Sequence, residues 1–223
     1  MATQTLNTAP ESASGQAVRA RIRDVAIEQF GQRGFDAELS AIAEAAGVNA
    51  ELLIHEFGSI EGLRKACDDY ILESIRTAKS ESLQSMSPTT WFSQLAEIES
   101  YAPMMNYLVR SMLSGGDLGR ALMGQMIDNA EGYLEDAVRA GTIKPSRDPK
   151  ARAAFLAMSG GGGFLLYLRM HDNPTEMEAV LRDYSKDMIL PALELYTHGL
   201  LTDTSMYDAF MSREEAREES KQP

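Results

Sequence analysis

Apolar residues in this 223-residue chain recur every three or four positions, and no segment sustains apolar–polar alternation at every second position. The first spacing lines one face of a helix, whereas a half-buried strand needs the second. Val18, Ile22, Val25, Ala26 and Phe30 are an early instance; Leu39, Ile42, Ala43 and Ala46 form another. Breaks fall at residues that end helices: Gly34, Gly47, Gly58, Pro88, Pro103, Gly115-Gly116, Gly141, Pro145, Pro149 and Asn173-Pro174. The fold class is therefore all-α. Helices are expected near 18–33, 39–46, 49–56, 59–79, 89–102, 104–114, 117–140, 148–171, 174–199 and 205–213.

A chain of this length with 44% apolar residues can bury a core without a disulfide or metal staple. The single cysteine, Cys67, fits a reducing compartment and is expected as buried apolar filler. The net charge of −12 argues against chain-wide affinity for nucleic acid or anionic membrane, so each segment's charge must be weighed separately. The first residues lack the basic run and apolar core of a signal peptide, and no apolar stretch of about 18 residues is evident. A cytoplasmic protein is expected. Residues 1–13, rich in Thr, Ala, Ser and Pro, read as a flexible arm, and 213–223 as a flexible, charged tail.

Residues 39–56 have the organisation of a helix-turn-helix: a short helix, a Gly-centred turn and a second short helix capped by Asn49. In Ala45-Ala46-Gly47-Val48 the small residues allow close approach, Gly47 accepts a positive φ, and Val48 plugs the crevice between helices. With Phe30, Gly34 and Phe35 before it, AIAEAAGV within it, and His55-Glu56-Phe57-Gly58-Ser59 then Glu61 and Leu63 after it, the segment resembles the TetR family of regulators over residues 18–70. The resemblance extends more loosely to Pro103, Gly141, Ser146-Arg147-Asp148-Pro149 and LPALELYTHGLLTD. It implies a helix-turn-helix DNA-binding domain over 14–60, a helical ligand-binding and dimerisation domain over 61–212, and a homodimer through the last two long helices.

The resemblance places operator DNA against Arg19, Arg21 and Arg23 on the first helix, Ser40 on the second, and Asn49, Ala50, Glu51 and His55 on the third. Ser59, Arg64 and Lys65 follow at the start of the fourth. Asn49 suits adenine and Glu51 cytosine as direct base readers, and the amides after Ser59 suit a phosphate. The chain departs from the family where DNA is touched: Ile54 replaces a common aromatic residue and Ile60 a common lysine, both of which contact phosphate in the family. The third helix carries Glu51 and Glu56 and no Lys or Arg. Residues 1–66 hold six basic against nine acidic residues, a net charge of −3. Because non-specific affinity comes from neutralised phosphates, two readings stay open. One is a ligand-responsive regulator, most simply a repressor; the other is a TetR-fold protein with weak or lost DNA binding that serves a ligand or a protein partner.

Thirteen methionines, seven of them between Met86 and Met158, favour a pliable interior. The family places an inducer within these helices. A small apolar or aromatic effector is expected against Trp91, Phe92, Tyr101, Met105, Tyr107, Leu108, Met112, Met123, Met126, Ile127, Phe164 and Tyr167. Ordinary helical core is the competing reading of each residue. The run Ser159-Gly160-Gly161-Gly162-Gly163 costs a helix about 2–4 kcal/mol relative to alanine. It lacks the strand and spacing of a phosphate loop, so close helix approach or a kink is expected there.

Nothing points to catalysis. His55, His171 and His198 are far apart, and no H-E-x-x-H, cysteine pair or G-x-S-x-G occurs. Asp68-Asp69 and Glu135-Asp136 read as solvated helix faces. No enzyme, cofactor or metal is expected.

Overall fold

A computed structural model describes residues 13–114 and 116–220, and it contains no strand among them. The chain forms α1 (Ala13–Arg33), α2 (Leu39–Ala45), α3 (Ala50–Phe57), α4 (Ile60–Ser85) and α5 (Pro88–Ala96). After a turn of 3-10 helix (Ile98–Tyr101) come α6 (Ala102–Ser114), α7 (Gly116–Arg139), α8 (Pro149–Met170), α9 (Met177–His198) and α10 (Ser205–Glu219).

The helix starts follow from local chemistry. Asn49 holds an extended backbone and its Oδ1 accepts from the Leu52 amide at 2.7 Å. Ser59 Oγ accepts from the Gly62 amide at 3.1 Å, and Asp148 Oδ1 from the Ala151 amide at 2.9 Å with Pro149 in the first turn of α8. Each such cap contributes about 1 kcal/mol. Between α2 and α3, Gly47 takes φ +65°, which a side chain would resist.

The packing divides the described chain inside α9, after Arg182. In the first unit α6 lies along α1, while α7 packs on α4 and α8. One core joins Ile22, Ala26, Phe30, Ile42, Leu53, Leu63, Cys67 and Ile71 to Tyr107, Leu108 and Leu122. A smaller core holds Ala130, Leu134 and Ala153. Fully burying each large apolar side chain contributes roughly 1.5–3 kcal/mol. The expected boundary near residue 60 therefore has no break in the core beneath it. The second unit, from Asp183, holds the rest of α9 and α10 and leaves Leu190, Tyr196, Leu200, Leu201, Tyr207 and Phe210 exposed.

Several expectations need correction. The fourth helix continues to Ser85, where Met86 in a left-handed backbone ends it. The helix expected over 89–102 breaks after Ala96 into a 3-10 turn, so Pro103 sits in the first turn of α6. The last helix runs to Glu219 through most of the segment read as a tail, because Arg213 to Glu219 are mostly good helix formers. Helix α8 is long and apolar enough by length and composition to cross a membrane, with a mean hydropathy of 1.2 over 18 residues. The arm over 1–13 lies outside the described residues apart from Ala13, which begins α1.

Candidate nucleic-acid interface

Helices α2 and α3 form the expected helix-turn-helix. Leu53 and Phe57 of α3 are buried in the core, and Val48 packs against it from the turn. That anchoring leaves Ala50, Glu51, Ile54 and His55 exposed on the opposite side of α3. Asn49 spends its carbonyl oxygen on the cap, which leaves its NH₂ for a base. Ser40, at the exposed start of α2, has its hydroxyl near Glu38 at 3.4 Å.

The cations are less available than their positions suggest. Arg19 donates to the Glu56 main-chain oxygen, lies 3.6 Å from Glu56 Oε2, and stacks 4.4 Å from the centre of the Phe57 ring. Arg23 reaches Asp24 at 2.7 Å and lies 3.4 Å over the Tyr70 ring. Arg64 lies 3.5 Å over the Phe35 ring, and Lys65 pairs with Asp69 at 2.7 Å. Arg21 and Arg33 have no ion-pair partner among the described residues. A cleft of about 260 Å³ opens beside these groups, lined by Gln16, Arg19, Ala20, Arg23, Phe57, Ala66 and Asp69. Ser59 spends its hydroxyl on the start of α4, and its bond to Glu61 holds that carboxyl below its ordinary range. Ile60, where the resemblance expects a lysine, is half-buried against the core.

The head, meaning α1 to α3 with the start of α4, is fastened to α6. Tyr107 is fully buried and its hydroxyl donates to Asp68 Oδ1 of α4 at 2.6 Å. Burial raises the Asp68 carboxyl even though that bond opposes the shift, and burial followed by the same carboxylate raises the Tyr107 hydroxyl. Arg110, one turn on, donates to the Gly31 and Gln32 carbonyls at 3.3 and 3.2 Å, in the last turn of α1. At Gly31 a Cβ would stand 3.0 Å from Asn106 Cβ and from the Tyr107 amide nitrogen, so the two helices touch backbone to backbone. Cys67 is fully buried in this core, and burial pushes its thiol up to about 12.

The expected effector residues divide accordingly. Tyr107 and Leu108 are core, not cavity wall, because they fill the seam against the head. Met105 and Met126 pack partly on the same core. Phe92 faces solvent at 70% exposure, and Trp91 beside it donates its indole N–H to the Ser82 carbonyl at 3.4 Å. Tyr101, Met112, Met123, Ile127 and Tyr167 are half-buried, and Phe164 is buried. In the α8 glycine run, only Gly161 has a neighbour within reach of a Cβ, Met112 Cε at 3.5 Å. Gly160, Gly162 and Gly163 face open space, so packing within the chain does not account for them. Exposed Phe155, Met158, Leu166 and Met170 flank the run.

Sequence reasoning missed Asp68, Arg110 and Gly31. Asp68 was read as part of a solvated face, but its partner comes from α6. Arg110 and Gly31 carry no local signature, because what they meet lies 75 or more positions away along the chain.

Residues 22–67 match the family described as bacterial regulatory proteins, tetR family, and residues 99–202 match the tetracyclin repressor-like C-terminal domain. The chain is 66% identical over 193 residues to the HTH-type transcriptional regulatory protein RaaS of Mycobacterium tuberculosis, covering 86% of this chain and 91% of that protein. A solved protein of Rhodococcus sp. assigned to the TetR-family transcriptional regulators superposes with a TM-score of 0.55 at 21% identity, over 77% of this chain and 97% of that one. A TetR transcriptional regulator of Chloroflexus aurantiacus gives 0.50 at 23% identity, over 78% and 96%.

Proposed function

Because the chain belongs to the TetR family of bacterial regulatory proteins, we propose that it is a cytoplasmic, ligand-responsive repressor that binds operator DNA as a homodimer. The observation that carries the reading is the capped α3, held by Leu53 and Phe57 so that Asn49, Ala50, Glu51 and His55 project from the head. The relative RaaS, a transcriptional regulatory protein by name, supports it.

The dimer uses exposed apolar faces on the last two long helices: Phe155, Met158 and Leu166 on α8, and Leu190, Leu193 and Tyr196 on α9. The open glycines of α8 let a partner helix approach closely, which explains both the run and the apolar composition of that helix. A small apolar or aromatic effector lodges among Trp91, Tyr101, Met112, Met123, Ile127, Phe164 and Tyr167. An effector that binds better to the state with mis-spaced heads lowers operator affinity by that difference in binding.

The in-chain partners of Arg19, Arg23 and Lys65 favour a second reading, a family member whose DNA binding is weakened and which serves a protein partner. Fluorescence anisotropy with DNA from upstream of its own gene, against scrambled DNA at low and near-physiological salt, separates the two. A preference for the native sequence that survives added salt supports the repressor. Equal binding to both duplexes, or none, supports the second reading.

A further inference from the structure

Three contacts hold Arg19, and they do different things. The Glu56 carbonyl and the Phe57 ring fix where the guanidinium sits, whereas the Glu56 carboxylate, 3.6 Å away, cancels its charge. The pair joins α1 to the last turn of α3 across 37 positions of chain. The Glu56 side chain is only 17% exposed, against 39% for Arg19. The other acid partners in the head, Asp24 and Asp69, lie on the same helix as their cation and are more than half exposed, so a phosphate replaces them readily.

DNA offers the same cations a row of phosphates, and each one neutralised adds about 0.9 to the slope of log affinity against log salt. At Arg19 the position a phosphate would take is already held by a carboxylate of the recognition helix itself. Resting on the DNA-binding reading above, we propose that Glu56 is a specificity-determining residue, an internal substitute for phosphate that keeps Arg19 out of non-specific DNA contact. Affinity that any sequence would gain is withheld, while base contacts from Asn49 and Glu51 are untouched. What matters in a genome is the ratio of specific to non-specific binding, and Glu56 raises that ratio by lowering its denominator.

The test uses the full-length chain and a labelled random-sequence duplex, titrated by anisotropy over a series of salt concentrations. Glu56→Gln leaves Arg19 positioned by the carbonyl and ring but uncompensated. It should tighten binding about five- to tenfold near 0.1 M salt and steepen the salt slope by about one. Glu56→Ala, which removes the same charge without leaving an amide, should do likewise. Arg19→Ala alone, which leaves the Glu56 carboxylate uncompensated, should not tighten binding or steepen the slope, and Arg19→Ala combined with Glu56→Gln should lose the whole gain. The proposal is overturned if Glu56→Gln leaves the slope of a DNA-binding protein unchanged, or if the gain survives in the double variant. Absence of binding by all four variants and the parent at the lowest salt would sink the DNA-binding reading together with the proposal.

Discussion

Tyr107 of α6 donates its phenolic hydrogen to Asp68 of α4 across 2.6 Å, joining helices whose contact residues lie 39 positions apart. Arg110 binds the end of α1 from the same helix, so α6 grips both long helices of the head. Met112, on the next turn of α6, reaches toward Gly161 of α8. A displacement of α6 cannot occur without moving α1 and α4 or breaking these contacts.

Tyr107→Phe should destabilise the chain by about 1–3 kcal/mol, because it strips a hydrogen bond from a largely buried carboxyl without opening a cavity. Urea unfolding reads the loss. A midpoint equal to that of the parent would mean that water replaces the phenol at Asp68.

Gly31→Ala should also destabilise, by roughly 1–3 kcal/mol from overpacking, although alanine favours a helix by about 0.5–1 kcal/mol over glycine. The new methyl would stand 3.0 Å from the Tyr107 backbone nitrogen, which cannot rotate aside. A thermal melt with a raised midpoint would show that α1 and α6 separate cheaply.

Stability should fall as pH rises above about 8.5, ahead of general alkaline unfolding. Cys67 is pushed up to about 12 and Tyr107 also upward, both first by burial. Unfolded, they lose protons near about 8.5 and 10. Above those values the unfolded chain binds fewer protons than the native one, so the slope of stability with pH is negative. Cys67→Ser should flatten the first part of that decline in urea titrations at stepped pH.

Ile60→Lys should restore a phosphate contact at the start of α4, raising affinity for duplex DNA and steepening the salt slope by about one. Ile60 is half-buried, so the lysine stem can cover the same apolar surface while its ammonium reaches solvent. An unchanged slope would mean that DNA lies against the head in a different register from that of the family.

The helices and their caps were legible because their causes are local. Asn49 and Ser59 sit immediately before the turns they cap, and Gly47 stands where the chain must reverse. The ends of α4 and α10 were misjudged because charged and small residues continue a helix without an apolar period to announce it. The roles of Tyr107, Arg110 and Asp68 were hidden for the opposite reason. Each is an ordinary helical residue until a distant element is placed against it. Charge was legible as a sum over the head but not as pairs such as that of Arg19 with Glu56.

The core shared by Ile22, Phe30, Leu63, Tyr107 and Leu122 also limits how this chain can recombine. A segment cut at residue 60 and grafted onto another protein would lose the part of this core that Leu63, Cys67, Ile71, Leu122 and Tyr107 supply, including the Tyr107 ring that meets Phe30 and Phe35 edge-on. Any exchange that keeps this core intact must bring α4, α6 and the start of α7 along, so the first three helices tolerate change on their exposed sides more readily than replacement as a separate unit.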